Sequence, residues 1–321
     1  MSPIEKGCRA VWSFSLVALC IVVGPAAFAQ GGFGDGRGSA PIEVTLNNSF
    51  IEAHKNRATA DVADFLVDLA HDRPNPPSKD GDLHVAGRSA TIGLPLVVEL
   101  MNAKTKKPLV DLLNAREGSP DPVPLSGAWR LWPEHGGLDP QVQGDPVSPA
   151  TTTNPEHVFE LHPVTKVNGQ AVLDTLKEID GFTYKSAEDA FQRYESAPFQ
   201  LRCDSDTTTF RTKMIGYNYV DFEVELLEDP THVVADGLSL FANVRDPDDG
   251  ELLVYKRRVW FVKGSGPYAV VAPLKAGDRI RVVGIPRINL SLISWRCANA
   301  ERRPDVLQWA LPYELVIVDT E

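Results

Sequence analysis

The sequence predicts a mainly β protein, two small barrel-like domains joined by a short helical connector. Three observations predict it. Short stretches in which apolar and polar residues alternate recur in both halves of the chain. Clusters of Pro, Gly and Asp, such as Arg73-Pro74-Asn75-Pro76-Pro77 and Asp246-Pro247-Asp248-Asp249-Gly250, separate them as turns do. The period changes to a helical one in the middle, between Gln170 and Ser196.

Taken in order, Lys6 and Arg9 precede an apolar run from Ala10 to Val23, then Pro25 and Ala27-Phe28-Ala29 before Gln30. A basic start, a short apolar middle and small residues at a cleavage point make residues 1–29 a signal peptide. Export to a periplasm or the outside of the cell is therefore expected. Cys20 follows Leu19 rather than a small residue, so it does not read as a lipid-modified cysteine. No other stretch reaches the roughly 18 apolar residues of a membrane span, and none is expected after cleavage. Residues 30–40 are glycine-rich and read as a flexible tether.

A first barrel domain is expected over 41–169. Pro41 to Ile51 reads as a lead-in strand, and Phe65, Val67 and Leu69 share one face of a strand over Ala58 to Leu69. Two more strands follow, at Asp82 to Gly87 and Leu96 to Met101. Leu109, Leu112 and Leu113 fall at helical spacing after Pro108, which suits a first turn. Val123 to Trp132 is a fourth strand, bent at Gly127, and His157 to Val167 a fifth. Three strands, a helix and two strands is the order of the OB-fold, which takes ligands over its open face and the loops joining strands one to two and four to five. Here those loops are His71 to Gly81 and Pro133 to Glu156.

Residues 170–197 read as two short amphipathic helices split at Gly181, the connector. A second β-rich domain is expected over 198–321, with strands at Phe222–Leu227, Leu238–Val244, Leu252–Val262, Arg279–Ile285 and Tyr313–Val318, and a helix near Pro267 to Lys275. Two echoes point to duplication: Gly127-Ala128-Trp129-Arg130 beside Gly284-Ile285-Pro286-Arg287, and Phe159-Glu160-Leu161 beside Tyr313-Glu314-Leu315.

Formal net charge is −11, and loss of a leader with Lys6 and Arg9 against Glu5 takes it to −12. That opposes nonspecific nucleic-acid binding, which rests on clustered cations. Cys203 and Cys297 remain after cleavage, an even pair expected to form a disulfide in an oxidising compartment. Closing so long a loop contributes about 4 to 5 kcal/mol on chain-entropy grounds.

The candidate site is a set of polar residues on first-domain strands. Asp82 and His84 lie two apart on one strand, as do Glu160 and His162 on another, so each pair shares a face. Glu99 sits among Leu96, Val97, Val98 and Leu100, where an unpaired carboxylate is costly; it faces solvent or meets a partner such as His84, Arg130 or His162. Pro133-Glu134-His135 borders the same mouth. The ordinary readings are a turn at Asp80-Gly81 with a surface histidine, and a satisfied polar network. No cofactor is evident from motifs; a divalent metal on His84, His135 and His162 with a glutamate has suitable donors but no zinc-type spacing. Trp129 and Trp132 are a stacking platform or core, and Lys256-Arg257-Arg258 is a solvated strand face, a carboxylate partner or an anion site.

The stretches Asp80-Gly81-Asp82-Leu83-His84, Gly127-Ala128-Trp129 with His135, and Glu160-Leu161-His162-Pro163-Val164 resemble those of uncharacterised secreted bacterial proteins with an OB-like barrel. The resemblance spans Ala58 to Val167, and this chain departs from it in the long Gly136 to Glu156 stretch. It implies the fold and the place of a site. Three functions are expected to compete: an exported binding protein for an envelope saccharide or peptide, with its site on the first barrel; a metal-dependent or His/Glu acid–base hydrolase; and a structural envelope protein without a site.

Overall fold

Ile42, Val44 and Leu46 turn inward along β1 (Ile42–Asn47), and α1 (Asn48–His54) follows at once. The computed structural model describes residues 41–321 apart from 138 and 300–306, so the expected leader and tether lie outside the described residues. Next come β2 (Thr59–Ala70), β3 (Leu83–Arg88), β4 (Leu96–Leu100), α2 (Lys107–Ala115), β5 (Val123–His135), the two-residue β6 (Gln141–Val142) and β7 (His157–Val167). Strand β2 pairs antiparallel with β3 and β5, β3 with β4, and β5 with β7. Parallel pairing of β4 with β7 closes the barrel. This is the expected OB-type order, with α2 between the third and fourth barrel strands. Strand β5 slips register on both sides of Gly127, where a Cβ would lie 2.9 Å from the Pro163 carbonyl oxygen. The expected bend is thus a close backbone approach that a side chain would obstruct.

After β7 the chain makes β8 (Gln170–Ala171), a 3-10 turn at Leu173–Thr175 and α3 (Ala187–Glu195). Only the second expected helix of the connector forms. Val172, Leu176 and Ile179 are buried as their spacing implied, but the Asn102 amide donates to the Thr175 and Lys177 carbonyls, taking acceptors that a helix would use. Helix α3 starts at Ser186, whose side chain accepts from the Asp189 N–H.

The rest comprises β9 (Pro198–Cys203), β10 (Thr207–Thr212), β11 (Val220–Leu226), β12 (Gly237–Arg245), β13 (Leu252–Val262), α4 (Gly266–Val271), β14 (Arg279–Ile288), α5 (Leu290–Asn299), β15 (Leu307–Ala310) and β16 (Tyr313–Thr320). Strands β11, β12, β13, β14 and β16 form a second closed barrel. Its pairings repeat the first: β11 with β12 and β14, β12 with β13, β14 with β16, all antiparallel, and β13 parallel to β16. A third sheet, in the order β15-β9-β10-β1-β6, draws on both halves. The lead-in strand β1 therefore pairs with β10 from beyond the connector. Cys203 on β9 and Cys297 on α5 form the expected disulfide, Cα–Cα 5.6 Å.

Side chains alternate between the two faces of each barrel wall. Phe159 and Leu161, Val98 and Leu100, and Leu83 and Val85 join the main core, so Glu160, His162, Glu99, Asp82 and His84 point to the other face. That outer face is covered. Its apolar members Met101 and Ala128 pack in one cluster with Leu176 and Ile179 of the connector, Tyr219, and the outer-face residues Trp260, Ile285 and Val316 of the second barrel. The two fourth strands also interlock. Arg130 Nε donates to the Pro286 carbonyl (3.1 Å) and Arg287 Nη1 to the Trp129 carbonyl (3.1 Å), each arginine bonding the residue before the other.

Candidate functional site

The polar residues singled out on β3, β4 and β7 meet in one buried cluster. Register sets this directly: His84 lies opposite Glu99, and Val97 opposite Glu160, so the outward side chains of three adjacent strands converge. His162 is the centre. Its Nδ1 lies 3.1 Å from Glu99 Oε2 and 3.5 Å from Glu160 Oε2. Its Nε2 is 2.7 Å from the Tyr219 hydroxyl and 3.4 Å from Asp82 Oδ2. Tyr219 donates to Asp82 Oδ2 at 2.5 Å, which leaves its oxygen to accept from His162. His84 stands towards solvent, with Nδ1 3.9 Å from Glu99 Oε1 and Nε2 3.5 Å from Asp80 Oδ2, and the His71 ring stacks on it.

Asp82, Glu99, Glu160 and His162 are each at most 2% exposed, so the field here is that of clustered carboxylates in a medium of low polarity. Burial works against charge on His162, but Glu99, Asp82 and Glu160 override it and push its pKa up to about 10. The same balance, burial opposed by Glu99 and Asp80, takes His84 to about 9. Burial raises the Glu99 carboxyl above its ordinary value against the pull of His162 and His84. For Glu160 burial is outweighed by Arg130, which holds it well below the usual carboxylate range. Four atoms of this cluster lack a hydrogen-bond partner although buried: Asp82 Oδ1, Glu99 Oε2, His162 Nδ1 and His84 Nε2.

Glu160 has a second allegiance. It takes Arg130 Nη1 at 2.5 Å and His157 Nε2 at 3.1 Å, while Arg130 Nη2 reaches Glu134 at 2.7 Å. Arg130 is thus the partner of Glu160 and Glu134, and Glu99 meets the two histidines instead. His135 does not join His84 and His162. It stacks on His157 at the far side of Glu160, with Glu134 4.0 Å away. Of the three candidate metal-binding histidines, His162 gathers with Asp82 and Glu99, and His135 with Glu134 and Glu160, the ligand atoms of each group lying within 4.8 Å of one another; His84 is in neither group. Trp129 and Trp132 are buried core.

Tyr219 is the member that sequence reasoning missed. It lies at the entry to β11, 57 positions from His162, in a Tyr-Asn-Tyr stretch with no pattern that ties it to the first barrel. His157, which locks Glu160 from the start of its own strand, was legible only as the first residue of β7.

No protein-family model matches the chain, and no curated protein matches it in sequence.

Proposed function

We propose that the chain is an exported binding protein whose first barrel holds one divalent cation on Asp82, Glu99 and His162. The observation that carries this reading is the set of buried donor atoms without hydrogen-bond partners, Asp82 Oδ1, Glu99 Oε2 and His162 Nδ1, on three residues whose ligand atoms gather within 4.8 Å. One imidazole with carboxylate oxygens suits zinc or manganese. Charge supports it too. Asp82, Glu99 and Glu160 surround His162 with Arg130 the buried arginine beside them, a negative field that would favour a divalent cation taking the place of the His162 proton. His84 and Asp80 lie on the solvent side and mark a path of entry.

The burial of the cluster disfavours a saccharide or peptide as its ligand, because the second barrel, the connector and Tyr219 occupy the face where a polymer would lie. It disfavours an acid–base hydrolase for the same reason, since a substrate bond must come within hydrogen-bond reach of the base. A structural network is the second reading, favoured by the Tyr219 bridge between Asp82 and His162. Export is supported by the leader-like start and by the disulfide.

Calorimetric titration of chelator-treated protein with zinc and with manganese tests the proposal. One equivalent bound per chain, lost in Glu99→Gln and in His162→Val, is expected. A folded wild type that takes up neither ion would leave the structural network standing.

A further inference from the structure

We infer that the second barrel carries, independently of the cation site, a groove for a short acidic oligosaccharide of uronate type. A cavity of about 730 Å³ lies over β12 and β13, within the usual size range of ligand pockets. Its walls are the β11–β12 loop, with Thr231 and His232, and the β14–β16 connection, with Asn289 and Trp295. Barrels of this topology take ligands on this face and between these two loops. That is a fold-level analogy, which locates a site without naming its ligand.

The ligand class follows from the side chains. Lys256, Arg257, Arg258 and Arg296 line the groove against one acidic residue, Glu228, on a chain of net charge −11. An anionic group is attracted locally, while a long polyanion is repelled by the rest of the surface. Arg257 is held by Glu195, and Arg258 by Asn56, Ser239 and, at 3.8 Å, Glu314. Lys256 is different. The ladder between β12 and β13 slips register at Ala242 to Val244, and Lys256 sits opposite that slip with φ 55°. Such bulges re-aim side chains, and here the ammonium stands 5.0 Å over the Phe241 ring. No carboxylate among the described residues pairs with it.

Trp295 is 62% exposed at the groove, and a bare indole offers a face for the C–H side of a sugar ring. Five neutral donors and acceptors, Asn56, Thr231, Ser239, Asn289 and Ser291, share the lining and match hydroxyl groups. A single-stranded nucleic acid needs successive stacking platforms along a cationic track. Trp295, Phe241 and His232 are the exposed rings of the lining, Tyr313 being buried, and so few rings among amides and hydroxyls fit a short glycan better.

The test is titration of the full mature protein with tetragalacturonate, the neutral tetrasaccharide cellotetraose, a ten-residue oligothymidylate and hexaglutamate, followed by tryptophan fluorescence and calorimetry. Tetragalacturonate should bind, more weakly as salt rises, with cellotetraose at least ten-fold weaker. Trp295→Ala and Lys256→Glu should each weaken tetragalacturonate ten-fold or more, whereas Tyr255→Ala, which removes an exposed ring outside the groove, should not. Because all three side chains are exposed, circular dichroism melting should show the variants folded. Failure of tetragalacturonate to bind, equal binding of cellotetraose, stronger binding of the oligonucleotide or peptide, or unchanged affinity in Trp295→Ala and Lys256→Glu would each overturn the inference. None of these outcomes depends on whether Asp82, Glu99 and His162 hold a cation.

Discussion

In the first barrel the outward positions that meet across β3, β4 and β7 are Asp82, His84, Glu99 and His162. The strand registers of the second barrel make Gly237, Ser239, Trp260 and Val316 their counterparts. One pair alone is kept: Arg130 lies opposite Glu160 on β5 and β7, and Arg287 opposite Glu314 on β14 and β16. Both pairs are buried, and both arginines reach across to the other barrel's fourth strand. The difference separates two roles that adjacent residues of β7 would otherwise confuse. Glu160 belongs to the frame that holds barrel to barrel, whereas Asp82, Glu99 and His162 are an addition to the first barrel, set where the second is filled with apolar side chains.

The sharpest way to break this comparison is to remove the shared frame. Arg287→Met strips Glu314 of its hydrogen-bonded partner, leaving it Arg258 at 3.8 Å, and leaves the Ala58, Trp129 and Arg57 carbonyls short of a donor. Leaving a buried charge unpaired costs about 3–5 kcal/mol, and Arg130→Met should cost a similar amount in urea unfolding. If one variant proves near neutral, the two pairs are not equivalent parts of one frame.

Replacing the charged groups of the first barrel's cluster by uncharged side chains, as the second barrel has there, should have the opposite sign. In Asp82→Asn/Glu99→Leu/His162→Val, chelator-treated protein should be as stable as the wild type or more stable by about 1–4 kcal/mol, since apolar groups often replace buried ion pairs without loss. Zinc should raise the melting temperature of the wild type, by favouring the folded state, and leave that of the triple variant unchanged. A destabilised triple variant would mean that the cluster is part of the frame after all.

The cluster also predicts how stability depends on pH. In chelator-treated protein His162 titrates near 10 when folded against an ordinary value of 6.5. Its raised value stabilises the fold fully below about pH 6.5 and is lost as pH rises through about 10. Urea unfolding of the wild type should therefore weaken over that window more than unfolding of the triple variant, and parallel curves would refute the assignment. The smallest effect separates frame from addition at single-residue scale. Glu160→Gln should lower the His162 titration seen by NMR, because it removes a charge 3.5 Å away. Glu314→Gln, in the other barrel, should leave it unchanged.

Much of this was legible in the sequence. Period-two alternation found all ten barrel strands, because a wall with one face on a core must alternate. Asp82 with His84 and Glu160 with His162 were placed on shared faces by the same rule, and the Arg130 and Arg287 echoes marked the repeat. The third sheet was not legible. Strands β6, β9, β10 and β15 are short, and their pairing with each other and with β1 depends on closeness that local pattern does not encode. The helix expected after Gln170 failed for a tertiary cause, capture of its carbonyls by Asn102.

The sequence by itself thus determined the barrels, their order and the facing of each polar side chain, since backbone geometry and apolar periodicity act over a few residues. What covers those side chains was decided only by tertiary structure. Tyr219, Leu176, Ile179 and the outer wall of the second barrel close over His162 from 14 or more positions away in the chain, and that turns a face expected to meet an extended ligand into a buried, charge-poised cluster. The groove on β12 and β13 arose in the same way: Lys256 reads as an ordinary strand cation until the bulge turns it over Phe241 and the chain brings Trp295 into the same cavity. Burial and field are sums over neighbours in space, and no local stretch of sequence contains them.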